Sequence, residues 1–176
     1  MVRAIFLRAA LGATSLSALA EDGATIVKLT EQATSGRMKL KTGDKLRPGD
    51  EIVVSEKGEV DLKLGEGHRV RLKAGTSFKL GKQKKGARIL ELFKGRAFIH
   101  YVKSPEAKRL EVRTKTVVAG VRGTKFVAEI DDTKGTYLCV CEGAIEARKP
   151  SGGSATKVSK GQDLWAKPDQ PLGKAI

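Results

Sequence analysis

Cys139 and Cys141 are the only cysteines in the 176 residues, and their spacing is the first place to look for chemistry. On an extended strand the two would share a face, with Cα atoms about 6.6 Å apart. That lies near the upper limit for a disulfide, so a bridge requires a kinked or strained strand. Two small buried hydrophobes and a strained redox-active pair are both open readings. Zinc is not expected, because His68 sits by a turn, His100 lies on another strand and no Cys-x-x-Cys spacing occurs. The sequence contains no nucleophile elbow, metal triad or dinucleotide fingerprint. Gly120-Val121-Arg122-Gly123-Thr124 is not a phosphate loop, since no Lys-Ser/Thr follows it and no helix is expected after it. The chain reads as a non-enzyme with no cofactor and no metal.

Binding chemistry has two further candidates. Lys82, Lys84, Lys85 and Arg88 are concentrated in one loop and are candidate anion contacts, with a solvated hairpin tip as the alternative. Arg122, beside a glycine, is either a ligand-binding arginine or a structural one. In the structural reading its fork of donors bonds nearby carbonyls and fixes a corner.

The elements that must position these residues are short strands. Val117, Ala119 and Val121 alternate with other residues before Arg122-Gly123, and Phe126, Ala128 and Ile130 alternate after it. This period of two predicts two half-buried strands joined at a corner. Val60, Leu62 and Leu64 alternate with Glu59, Asp61 and Lys63, and Val70 and Leu72 alternate with Arg69, Arg71 and Lys73. The loop Gly65-Glu66-Gly67 makes these runs a hairpin. Pairing Leu62 with Val70 sets Asp61 opposite Arg71 and Glu59 opposite Lys73, each pair contributing roughly 0.2–1 kcal/mol. The charged outer face is thereby given a structural reason. Phe93-Lys94-Gly95 and Val140 to Ile145 each turn through a glycine into a further short strand, with spacing too irregular for a repeat. Ser151–Ser154 reads as a flexible tip, and Val158–Trp165 as one closing strand. No helical stripe appears outside the N-terminal segment, and the recurring turn signals predict an all-β domain.

The string from Thr114 to Ala128 resembles the core signature of the FecR domain, a periplasmic bacterial module. Thr114, Val117, Ala119, Val121, Arg122, Gly123, Thr124, Phe126 and Ala128 stand on signature positions. Lys115 replaces a usual proline, and Ala128 a commoner valine. The resemblance extends from about Leu46 to Trp165. It implies a compact stack of short strands in two packed sheets, partly β-solenoid-like. It also implies ordinary apolar residues near Cys139 and Cys141, which favours the buried reading. Thr114, Val121, Arg122, Gly123, Thr124 and Phe126 then form a structural signature, and Arg122 takes the structural role.

Met1–Ala20 reads as a signal peptide. Arg3 and Arg8 precede a short apolar run, and Ala18-Leu19-Ala20 is a cleavage site. The run is too short for a membrane span. Residues 21–45 would form an N-terminal arm or edge strand, 46–166 the β domain and 167–176 a flexible tail. With 34 Lys and Arg against 20 Asp and Glu the net charge is +14, and removing Arg3 and Arg8 leaves +12. Such a chain attracts anionic surfaces. Behind an export signal these are lipid, lipopolysaccharide or cell-wall polymer rather than nucleic acid. Sigma-factor regulators of the family also carry a cytoplasmic segment and a membrane span, and neither is recognisable in this sequence. The expectation is a stand-alone periplasmic or secreted binding and sensing module acting through an envelope protein. The alternative is a structural protein held electrostatically on anionic envelope material.

Overall fold

The computed structural model describes residues 23–65, 67–82, 84, 86–103 and 109–176. The expected signal peptide lies outside the described residues. Among the described residues sixteen strands follow one another. They are β1 (Ala24–Thr30), β2 (Ala33–Ser35), β3 (Met38–Lys39), β4 (Lys45–Leu46), β5 (Glu51–Val54), β6 (Glu59–Lys63), β7 (Arg69–Leu72) and β8 (Ser77–Leu80). Then come β9 (Ala87–Tyr101), β10 (Arg109–Arg113), β11 (Val118–Val121), β12 (Thr124–Asp131), β13 (Gly135–Glu142), β14 (Ala144–Lys149), β15 (Gly152–Ser159) and β16 (Asp163–Ala166). The all-β expectation holds.

The strands form two layers that share β9. Layer one has the order β4-β1-β6-β7-β9-β12-β13-β16. Layer two has the order β3-β2-β5-β8-β9-β10-β11-β14-β15. The chain winds from one layer to the other as it advances, which gives the stack its solenoid character. All the pairs are antiparallel except β9 with β10. Alternate residues point inward from both layers. Val60, Leu62, Val70, Leu72, Phe126 and Leu138 meet Phe78, Leu80, Leu90, Leu92, Leu110 and Val112 in one core. Each such side chain contributes about 1.5–3 kcal/mol on burial.

The β6–β7 hairpin has the expected register, with Leu62 opposite Val70 and Asp61 opposite Arg71. Arg71 grips Asp61 with two hydrogen bonds of 2.7 and 2.9 Å, and Lys73 is ion-paired to Glu59.

The crossings between layers repeat one device. Gly75-Thr76-Ser77-Phe78 precedes β9's bend at Gly95, and Gly123-Thr124-Lys125-Phe126 precedes the crossing at Gly143. The Thr76 hydroxyl donates to the Arg96 carbonyl at 3.1 Å and accepts from the Arg96 N–H at 3.1 Å. The Thr124 hydroxyl donates to the Ala144 carbonyl at 2.8 Å, the same twenty residues downstream. Both threonines are buried, and Phe78 and Phe126 fill equivalent core positions in opposite layers. The second unit is thus the first with its layers exchanged. At Gly143 φ is +81°, and a Cβ would stand 2.5 Å from the Gly123 carbonyl oxygen. Only glycine combines that conformation with that approach.

Several elements differ from the sequence reading. β1 pairs with β6 along its length and with β4 only at Ala24 and Thr25, so it is an edge in its second half alone. β9 is one bent fifteen-residue strand rather than two, because it pairs in layer two before Gly95 and in layer one after it. The flexible tip is partly strand, and Lys160-Gly161-Gln162 divides the single closing strand into β15 and β16. The C-terminal segment has no strand, yet Ile176 exchanges two backbone hydrogen bonds with Asp163, of 2.9 and 3.0 Å. Leu172 and Ala175 pack on the core.

Gly143→Ala should lower unfolding stability by about 1–3 kcal/mol, the scale of a residue forced into a disfavoured backbone region. Gly173→Ala, with open space around it, should change stability by less than about 0.5 kcal/mol. Chemical denaturation of both variants checks the difference, and equal midpoints would remove the steric argument.

Candidate functional site

The signature residues divide into one exposed side chain and a set that builds the fold. Val121 and Phe126 are buried. Thr114 accepts from the backbone N–H groups of Thr116 and Val117 at 3.2 and 3.1 Å and meets the Thr136 hydroxyl at 2.8 Å. That cluster ties the β10–β11 turn to β13 in the other layer. Gly123 has φ +67° and lies against Lys103. Arg122 departs from the expectation. Its side chain is exposed and makes no hydrogen bond or ion pair among the described residues, so no carbonyls are fixed by it.

The anion loop needs a correction as well. Lys82 and Lys84 are exposed, while Lys85 lies outside the described residues. Arg88 is 7% exposed, on β9, with Nη1 donating to the Gly23 carbonyl at 3.4 Å. Its inward position follows from the strand beginning at Ala87, two residues after the cation run. Arg88 lies near the stacked rings of His68 and Tyr101, whose centroids are 3.9 Å apart. Burial, aided by the Arg88 and His100 charges, lowers the pKa of His68.

The buried reading of the cysteines also fails. Both thiols are free, Cys139 half-buried and Cys141 exposed. They occupy the odd positions of β13, whose even positions, Leu138 and Val140, fill the core. Among the described residues no three His, Cys, Asp or Glu side chains converge as a metal site.

The outer face of layer one carries the surface that the sequence reading overlooked. One row across the strands reads Lys45, Thr25, Lys63, Arg69, His100, Lys125 and Glu142, each directly opposite the next. Lys125 is bonded to Glu142 at 2.6 Å. Lys45, Lys63 and Arg69 have no acidic partner among the described residues. Rows further in are neutralised by Asp61–Arg71, Glu59–Lys73 and Arg96–Glu129. Beside the basic row a shallow groove of about 430 Å³ has Arg69, Phe98, His100, Lys125 and Val127 in its lining, together with the ion-paired Asp61 and Arg71. Phe98 is 40% exposed. The hairpin register already places Lys63 opposite Arg69, and this was the available signal.

Elsewhere the charges have structural partners. On layer two, Glu111 accepts from Arg113 at 2.7 Å and from Arg148 at 3.2 Å. Burial acts to raise its pKa, but the bonds and charges of the two guanidinium groups outweigh burial and hold it below the usual value. Tyr137 donates to Asp163 at 2.9 Å and leans on Trp165, with ring centroids 5.0 Å apart. That hydrogen bond, followed by burial and by Cys139, raises the pKa of the phenol.

Because the folded-state pKa of Glu111 is depressed, its stabilisation is present above the unfolded carboxylate range and is lost as pH falls through the folded value. The stability gap between the parent and Glu111→Gln, on the order of 1 kcal/mol at neutral pH, should therefore close below about pH 4. Denaturation at a series of pH values measures it, and a gap independent of pH would contradict the assignment. A thiol reagent applied to the native protein should label Cys141 faster than Cys139. Equal, slow labelling of both would return them to the interior.

No helix among the described residues is long and apolar enough to cross a membrane, and no curated protein sequence matches the chain. Two crystal structures of a "putative anti-sigma factor" from Parabacteroides distasonis ATCC 8503, at 1.65 and 2.50 Å resolution, share the fold. Each has a TM-score of 0.59 and 23% identity over 72% of this chain and 57% of that one. The match spans less than two thirds of that protein's length. The family model for FecR protein matches residues 50–146, more than half of the 176, from the start of β5 through the second corner to β14. With the Arg122-Gly123-Thr124 corner inside that match, the chain belongs to the FecR protein family.

Proposed function

We propose that the protein is a non-enzymatic binding and sensing module of the bacterial envelope that acts by engaging a protein partner. The observation that carries this reading is Arg122. It stands at the signature corner, yet its side chain is exposed and bonds to nothing among the described residues, so the fold does not account for its guanidinium. Arginine is over-represented in the energetic centres of protein interfaces. Family membership supports a regulatory role through a partner, and the name of the solved relative fits the same direction. Export to the periplasm rests on Arg3, Arg8 and Ala18-Leu19-Ala20. A second reading, electrostatic attachment to anionic envelope material, is favoured by the net charge, +14 for the full sequence and +12 without Arg3 and Arg8.

Capture from envelope extract by the purified chain separates the two. A protein partner should remain bound at high salt, whereas attachment to anionic polymer should be released because exposed charges are screened. Arg122→Ala should lose the salt-resistant partner while moving stability by less than about 0.5 kcal/mol. Complete release by salt, or unchanged capture by the variant, would overturn the leading reading.

A further inference from the structure

We infer that the basic row and the adjoining Phe98 groove on layer one form a docking site for an acidic peptide segment bearing apolar side chains, supplied by a protein partner. The inference rests on the partner-binding reading above and names the partner's chemistry.

The row is unfavourable for folding by itself. Like charges directly opposite one another across strands destabilise a sheet, and Lys63 faces Arg69 in this way. Arg69 in turn faces His100, and His100 faces Lys125. A lone mismatch would be unremarkable on so basic a chain, but here the charges are segregated. Every other charged row on this face has its carboxylates in place. In the basic row Glu142 is the one acid, and it is engaged by Lys125 at the far end. Lys45, Lys63 and Arg69 therefore carry positive charge that no ion pair among the described residues takes up. Such charge concentrates anionic partners and accelerates their encounter.

The groove decides what kind of anion fits. Arg69, His100 and Lys125 share its walls with Phe98 and Val127. A bare polyanion would leave the phenyl ring unused, while a segment with both carboxylates and apolar side chains uses both parts. From Lys45 to Lys125 the row crosses five strand intervals, about 24 Å, which an extended segment of about seven residues spans. Carboxylates would lie over the row and an apolar side chain would enter beside Phe98.

The test uses the whole purified chain and fluorescence anisotropy at low and high salt. The probes are a labelled peptide alternating glutamate with phenylalanine, an oligoglutamate of equal length, and vesicles of phosphatidylglycerol in phosphatidylcholine. The glutamate–phenylalanine peptide should bind best and keep measurable binding at high salt. Lys63→Glu with Arg69→Glu should weaken it about ten-fold or more, the size expected when central interface charges are reversed. Phe98→Ser should weaken that peptide but not oligoglutamate, and Lys82→Glu with Lys84→Glu should weaken neither. If the reversed pair perturbs folding, Lys63→Gln with Arg69→Gln replaces it and should give a smaller loss of the same kind. Equal binding by parent and row variants would overturn the proposal. So would equal affinity for both peptides, or binding to vesicles alone. Failure here with salt-resistant, Arg122-dependent capture intact would discard this surface and leave the partner-binding reading standing.

Discussion

Backbone lying directly on backbone at the layer crossings is the constraint on which the rest of the structure depends. At Gly143 the chain passes so close to the Gly123 carbonyl that a methyl group has no room. The Thr124 hydroxyl meanwhile donates to the Ala144 carbonyl just past the crossing, at 2.8 Å. An intramolecular hydrogen bond contributes about 0.5–1.5 kcal/mol, so the threonine supports the crossing that the glycine permits. At the other bend Thr76 bonds both backbone groups of Arg96, whose carbonyl also accepts from the Lys73 N–H at 3.0 Å. With both crossings pinned, the layers are held at a spacing that Phe78 and Phe126 fill. The order of strands then follows from the chain advancing one turn at a time.

A frame specified by its corners leaves the outward-facing positions free to serve other ends. On layer two this freedom goes into a compact network in which Glu111 binds two arginines. On layer one, two rows are neutralised pair by pair, and the third, at the rim, is not. Each like-charge contact costs a few tenths of a kcal/mol to about 1 kcal/mol. Against a typical domain stability of about 5–15 kcal/mol, a short unneutralised row is tolerable, but it does nothing for the fold. The same logic explains Arg122, whose neighbours Val121, Gly123 and Thr124 are held by packing and hydrogen bonds.

What could be read from the residues follows the range of the interactions involved. The β6–β7 hairpin is local. Alternation and a three-residue loop were enough to set its register, and Asp61 meets Arg71 as expected. The corner was legible because Arg122-Gly123-Thr124 carries a family signature. Long-range placement was not legible. Arg88 read as part of a cation loop because sequence adjacency does not reveal that β9 begins at Ala87 and turns the side chain inward. The family resemblance implies a core position for Cys139 and Cys141. Leu138 and Val140 claim the inner face instead, and a strand cannot give both sets that face. The Gly-Thr-x-Phe string at Gly75 and Gly123 was visible as text, but its meaning required the hydrogen bonds to Arg96 and Ala144.

The division between corner and face bears on how far family membership reaches. Thr114, Val121, Gly123, Thr124 and Phe126 do the same physical work whatever the module binds, so a signature made of them identifies a fold rather than a ligand. On the proposed reading, specificity lies in Arg122 and in outward positions of β6, β7, β9 and β12. Those positions can change charge without touching the core, because the alternate positions of these four strands are the buried ones. Arg122 is where the two systems meet. Its neighbours Val121 and Thr124 are buried, while its own side chain is exposed. On the proposed partner-binding reading, the packed and hydrogen-bonded neighbours limit the backbone freedom that Arg122 loses on binding, and a smaller ordering cost favours affinity.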